Sequence, residues 1–335
     1  MGAGPRKLRP VDLVMDNLNR TDNLWEKYIS PFFVGPWFLA ALVVIGVVLR
    51  LESYLDNPSL WLDETYVATQ VTSRSFSEIF FNHILLGGQP ESPVIFCLLA
   101  KLASVIFGNH ELALRLIPFL SSSFVLVIFA LVLRKFYSPS VAVMALALAV
   151  FNANLIYYAV ELKTYSGDVL AAVAALWLFE WGRREKKLYL VLLRSVYTGA
   201  VLLLFSNAAL FFLPWIFVML WFRIRKEPSF QNKVVFISLT WLWVMTFLYL
   251  YFSVYSVMTG NEKLLGMWVG LGGFSSDAFF SWGWWKWLLE RYVVLAQYSL
   301  PGVSPVLGLG LALAGIACLT RKDVFRAFCV AGSVD

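Results

Sequence analysis

Long uncharged runs alternate with short charged clusters along this chain, and the runs set the expected architecture. Residues 28 to 49 carry no charge and are long enough to cross roughly 30 Å of hydrocarbon as a helix. Predominantly apolar runs near residues 116–133, 141–158, 165–182, 188–205, 208–222, 234–258 and 303–319 predict further spans, eight in all. The apolar run Pro93 to Phe107 is different: it is about 15 residues and is interrupted by Lys101, short of the roughly 18 that a span needs. It is read as a juxtamembrane or re-entrant helix. The pattern therefore predicts an all-α polytopic membrane protein. Residues 1–27 form a cytoplasmic tail, 28–320 a transmembrane domain, and 50–115 an external loop with juxtamembrane helices. Residues 321–335 form a cytoplasmic stub. The apolar segment from Val324 to Val330 stops short of a span, as expected of a truncated chain.

Composition agrees with this reading. The chain is 60% hydrophobic and 14% charged, with a mean hydropathy of +0.72, well outside the range of soluble domains. The formal charge of +6 does not point to nucleic acid, because the basic residues sit in clusters between spans, where they set orientation. Excluding Pro93–Phe107 from the spans places Arg134-Lys135, Arg183 to Lys187 and Arg223 to Lys226 all inside, as the positive-inside tendency requires. The first 27 residues have no apolar core with a cleavage site, so the first span is expected to be its own uncleaved insertion signal. Cys97, Cys318 and Cys329 lie far apart in apolar runs and read as small core residues.

Orientation makes the outer segments the place to look for chemistry. The first outer segment holds Asp63-Glu64 between Trp61 and Tyr66. Ionised acids beside aromatic residues at headgroup depth are costly unless they bind or react with something. An acidic solvated loop is the plain alternative. A second charged island runs from Tyr157-Tyr158 through Glu161, Lys163 and Tyr165 to Asp168. On a continuous helix Glu161, Tyr165 and Asp168 would share a face, being four and three apart. The alternative is a turn whose acid Lys163 neutralises. The last outer loop contains Trp282-Gly283-Trp284-Trp285-Lys286-Trp287, which reads as an interfacial aromatic belt or as a stacking wall for a sugar or lipid chain. His83 and His110 lack ligand spacing, so no metal site is assigned. An acid pair remains compatible with Mg²⁺ or Mn²⁺.

The order of these motifs resembles the GT-C glycosyltransferases. Leu60-Trp61-Leu62-Asp63-Glu64 follows span one, and Gln89-Pro90-Glu91-Ser92-Pro93 precedes a short apolar helix. Gly108-Asn109-His110-Glu111-Leu112-Ala113-Leu114-Arg115-Leu116-Ile117-Pro118 opens the next span, and Tyr157-Tyr158-x-x-Glu161-x-Lys163-x-Tyr165 follows span three. The likeness covers residues 30 to 230 and is greatest to the protein-mannosyltransferase and aminoarabinose-transferase branch, including relatives that modify lipopolysaccharide. It implies a GT-C helix bundle and a polyprenyl-phosphate sugar donor. It also implies an active site facing outward from the inner membrane, inversion at the anomeric carbon, and a glycan, lipid or protein acceptor. Relatives usually carry further spans and often a C-terminal domain.

Carried over by position, Asp63, Glu64 and Glu161 are the expected catalytic acids. Lys163 and Arg115 are the expected donor-phosphate partners, Arg115 also reading as a flanking anchor of its span. Tyr66, Tyr165 and Asp168 are the expected substrate contacts. Chemically, transfer needs a base for the acceptor hydroxyl and a cation for the departing phosphate. Two other classes fit the composition. A transporter or flippase of lipid-linked sugar would place charges near the midplane in repeated halves, and a non-catalytic lipid-binding subunit would tolerate loss of Asp63.

Overall fold

The structure is a computed structural model that describes residues 35–81, 93–227, 229–252, 262–271, 273, 275–299, 303–310 and 313. The N-terminal tail, His83, Gln89 to Ser92, Cys318, Cys329 and the expected stub lie outside the described residues, as do residues 311, 312 and 314–319 of the expected span 303–319. Every regular element among the described residues is a helix.

Helix α1, Pro36–Asp56, begins with a proline whose fixed φ suits the first helical position. It ends where Asn57 turns left-handed, at φ 41 and ψ 58, before Pro58. It therefore continues past residue 49, where the charge pattern places its end. The reason is Arg50, which is fully buried rather than at the membrane surface. Its Nε donates to Ser122 Oγ at 2.7 Å and its Nη1 to the Gly46 and Val150 carbonyls at 3.0 and 3.4 Å. Its Nη2 donates to the Ala149 carbonyl at 3.1 Å.

Those last two carbonyls explain the arrangement. They belong to the end of α6, Pro139–Phe151, which stops at Asn152. Asn152 Oδ1 accepts the Leu155 N–H at 3.0 Å and so caps the short helix α7, Ala153–Tyr157. The expected span 141–158 is thus two helices, and Arg50 supplies donors to carbonyls that the break leaves without helical partners.

Between α1 and α6 lie α2, Leu62–Ser73, α3, Phe76–Phe81, α4, Val94–Phe107, and α5, Glu111–Phe136. Helix α4 has 14 residues, about 21 Å of rise, less than the hydrocarbon thickness, as its sequence predicts. Helix α5 is the hub and packs against α1, α4, α6 and α8. Its first turn holds Glu111 and its last Arg134 and Lys135, each complementing the helix dipole. The chain continues through α8, Tyr165–Arg184, α9, Leu188–Phe205, α10, Ala209–Lys226, and α11, Phe230–Leu250. Helices α9 and α11 meet at Gly199, where a Cβ would come within 2.2 Å of the Trp243 indole carbons. Two further helices, α12, Glu262–Gly270, and α13, Trp282–Ser299, follow.

Among the described residues four helices, α1, α5, α9 and α11, are long and apolar enough to cross a membrane. The expected spans 165–182 and 208–222 are helices too. Asp168 and Glu180 interrupt the apolar character of α8, and Arg223, Arg225 and Lys226 end α10, which keeps both outside that class. Large side chains such as Val44 and Val48 on α1, Phe124 and Leu131 on α5, and Trp241 and Met245 on α11 point outward. An exterior of this kind suits lipid and would promote aggregation in water.

The two ends of the bundle differ in charge. At one end Arg184 donates to the Phe136 carbonyl at 3.2 Å and Arg223 to that of Gly182, which gathers the last turns of α5, α8 and α10. The opposite end is where α1 stops and where α2, α5, α8 and α10 begin. There a core of Val67, Val71, Phe96, Cys97, Leu114 and Leu162 joins α2 and α4 to the start of α5. Leu162 brings the turn 158–164 onto the same core, and this places the two acidic motifs side by side.

Candidate functional site

Asp63 and Glu64 are neighbours in the first turn of α2, yet the fold gives them opposite environments. Glu64 faces inward. Its Oε1 accepts Arg115 Nε at 3.1 Å and the Leu162 N–H at 2.7 Å. Its Oε2 accepts Arg115 Nη2 at 2.8 Å and the Trp61 N–H at 3.3 Å. The Glu64 and Arg115 side chains are 1% and 2% exposed. Arg115 Nη1 also donates to the Pro58 carbonyl, and to Asn57 Oδ1 at 3.5 Å. One ion pair thus fastens the end of α1, the start of α2, the start of α5 and the turn before α8. This revises two expectations: Glu64 and Arg115 engage each other inside the protein, so neither is placed to act on a substrate.

Asp63, by contrast, faces outward with a side chain 41% exposed, and its Oδ2 lies 3.6 Å from Lys163 Nζ. Tyr66, one turn further along α2, is half-buried. Lys163 belongs to a tight turn closed by its own N–H donating to the Glu161 carbonyl at 2.7 Å. The helix begins only at Tyr165, so Glu161 precedes α8 and does not share a helical face with Tyr165 and Asp168.

Glu161 is the unusual group of the site. It is 5% exposed, and its Oε2 has no hydrogen-bond partner. Burial raises its carboxyl above the usual value; nearby Glu64 adds to this, while a hydrogen bond with Tyr157 and the charges of Lys163 and Arg115 oppose it. The folded chain therefore keeps this proton to a higher pH than the unfolded chain does. Stability from Glu161 is full below the ordinary value of 4.5 and is lost as pH rises through the higher folded value. Denaturation midpoints measured across that interval should fall with pH, and Glu161→Gln should flatten the fall. An unchanged slope in the variant would assign the effect to another group.

Three tyrosines line the same place. Tyr158 meets Tyr157 and Tyr165 edge-on, with ring centroids 5.2 and 4.7 Å apart. The Tyr165 hydroxyl lies within electrostatic reach of Glu161, Tyr158, Asp63 and Asp168, so it stands among the acids of both motifs. Asp168 itself points to another neighbour. Its Oδ1 accepts Ser206 Oγ at 2.6 Å and the Ala208 N–H at 3.5 Å, and its Oδ2 accepts Thr164 Oγ1 at 3.3 Å. It ties the start of α8 to the α9–α10 connection, a positioning role in place of the expected substrate contact.

His110 is the N-cap of α5: its Nδ1 accepts the Ala113 N–H at 3.2 Å and its Nε2 lies 3.0 Å from the Phe107 carbonyl. Among the described residues no group of three or more His, Cys, Asp or Glu is placed to hold a metal ion. Since Lys163 also neutralises Asp63, these residues do not fit a divalent cation. Sequence reasoning missed Arg50, which shares a cavity of about 30 Å³ with Ser122, Tyr158, Tyr165 and Ser166 behind the site. Arg50 ends an apolar run, and that position alone does not separate a surface anchor from a buried donor.

No protein-family model, curated protein or solved structure matches the chain. The functional reading therefore rests on the residues and their geometry.

Proposed function

We propose that this chain is a membrane glycosyltransferase of GT-C type. It moves a sugar from a polyprenyl-phosphate donor to an acceptor hydroxyl at the acidic end of the bundle. The observation that carries the reading is the grouping of a half-exposed carboxylate, a cation and a buried acid without full hydrogen bonding, Asp63, Lys163 and Glu161, beside exposed tyrosine rings.

In this reading Asp63 takes the proton of the acceptor hydroxyl as its oxygen attacks the anomeric carbon. The bond from that carbon to the phosphate oxygen breaks, and the oxygen keeps the electron pair as polyprenyl phosphate leaves. Lys163 stabilises the charge that gathers on the phosphate. Glu161 orients the sugar or the acceptor through hydrogen bonds to its carboxyl group. Tyr66 and Tyr165 border the sugar, with ring faces suited to its C–H groups. Attack from the side opposite the phosphate inverts the anomeric centre.

The proposal includes orientation: eight spans, with the acidic end outside the inner membrane and α4 lying along or dipping into the outer interface. A membrane-impermeant thiol reagent on intact cells should label a cysteine placed at Ser75 and not one placed at Ser138; labelling at Ser138 alone would overturn it. The activity is tested by mass analysis of lipid-linked sugars and surface glycans with and without the intact gene. Loss of the gene should accumulate a lipid-linked sugar and remove one sugar from a surface glycan. Identical profiles would sink the reading.

A further inference from the structure

A second cleft lies in the α12–α13 segment, away from Asp63 and its neighbours. On α13, Gly283, Lys286, Trp287 and Glu290 recur at helical spacing and so share one face. They are met by Ser275, Ser276 and Asp277 from the preceding turn and by Val269 of α12, lining an open cleft of about 360 Å³. That volume falls within the roughly 300–1,000 Å³ of small-ligand sites. The absence of a side chain at residue 283 shapes the cleft: a Cβ there would come within 2.4 Å of the Asp277 carboxyl carbon. The Asp277 N–H donates to Ser275 Oγ at 3.1 Å, which holds the turn that carries its carboxylate over the start of α13.

We propose that this cleft binds a neutral pyranose ring of the acceptor glycan, remote from the residue that receives the new sugar; the assignment to an acceptor rests on the proposed transferase reading. The lining suits such a ring. Trp287 offers an aromatic face to its C–H groups, the carboxylates of Asp277 and Glu290 accept from neighbouring hydroxyls, and Lys286 donates to hydroxyl or ring oxygens. Two carboxylates against one ammonium disfavour an anionic ligand, and a rim of five polar side chains disfavours a lipid chain. The cleft is also connected to the reaction site. At the far end of α13 the Tyr298 carbonyl accepts Asn154 Nδ2 at 2.6 Å, and Asn154 lies on the helix that carries Tyr157. From the cleft residues Glu290 and Gly283 to Tyr298, α13 rises about 12 to 22 Å, so the cleft fits a unit of an extended acceptor removed from the reacting one.

The test is saturation-transfer NMR on the full chain in lipid nanodiscs, with methyl α-D-mannopyranoside, methyl β-D-glucopyranoside and methyl β-D-galactopyranoside as probes and methyl β-D-glucuronide as the anionic comparison. At least one neutral glycoside should give saturation transfer. Trp287→Ala should weaken it at least tenfold, and so should Gly283→Ala, which keeps every charge and displaces the Asp277 carboxylate. Asp277→Ala, at an exposed position, should weaken it as well and guards against misfolding of the tryptophan variant. The readout is binding and not turnover, so the cleft is tested whether or not transfer is ever observed. No signal from any neutral glycoside, a signal from the glucuronide alone, or an unchanged signal in Gly283→Ala and Asp277→Ala would overturn the proposal.

Discussion

Replacing Asp63 by Asn is expected to reduce sugar transfer by about 10²–10⁴-fold, the usual loss when a general base is removed. The substitution keeps the size of the side chain and removes only its ability to take a proton. Asp63 is the acid of its motif whose carboxylate reaches solvent, with Lys163 beside it, whereas its neighbour Glu64 is sealed inside the protein. Folding should be little affected, because a half-exposed ion pair contributes only about 0–1 kcal/mol. Donor binding should survive. Steady-state transfer by purified variant and parent, alongside their unfolding curves, checks both halves of the expectation. A folded Asp63→Asn protein that transfers at the parental rate would remove Asp63 as the base.

The largest stability effect should come from the residue next door. Glu64→Gln leaves the Arg115 guanidinium buried without its counter-charge, and removal of one partner of such a pair costs about 3–5 kcal/mol. Arg115→Met should cost a similar amount, since it strands the Glu64 carboxylate among apolar groups. The two losses should not add, because each variant breaks the same pair, and the double variant Glu64→Gln with Arg115→Met should be more stable than their sum implies. Thermal or denaturant unfolding of the three variants measures this. If both single variants unfold like the parent, the pair is not the fastening that the geometry describes. Loss of activity in either variant would be indirect: the pair holds α2 and the 158–164 turn together, so Asp63, Glu161 and Lys163 would separate.

Much of the scaffold was legible in the sequence. Uncharged run length located α1, α5 and α11, apolar character located α9 despite Arg194, and the shortness of the Pro93 to Phe107 run matches the 14-residue α4. The meeting of the Asp63 and Glu161 motifs at one end followed from the alternation of spans. What escaped were features that depend on tertiary partners. Glu64 and Arg115 are 51 positions apart, and no periodicity announces that one carboxylate of an adjacent pair turns inward while the other does not. The spacing of Glu161, Tyr165 and Asp168 fits a helix, but the tight turn at Lys163 delays the helix to Tyr165, and Asp168 is drawn to Ser206 instead. The break at Asn152 had a local signal, since Asn is a favoured N-cap. Its necessary companion, Arg50, lies about 100 positions away and reads locally as a membrane anchor.

Breakage of a glycosyl–phosphate bond separates a transferase from a protein that only moves or holds a lipid-linked sugar. The direct measurement uses the purified full-length protein in proteoliposomes, with a polyprenyl-phosphate-linked sugar on both leaflets and a surface-glycan extract as acceptor. Chromatography and mass spectrometry then quantify free polyprenyl phosphate and sugar-extended acceptor. Both products should appear in equal amounts with the parent protein and fall by at least a hundredfold with Asp63→Asn, in keeping with the loss of a general base. Intact donor after incubation with the folded parent protein, or equal release by parent and Asp63→Asn, would contradict the transferase reading.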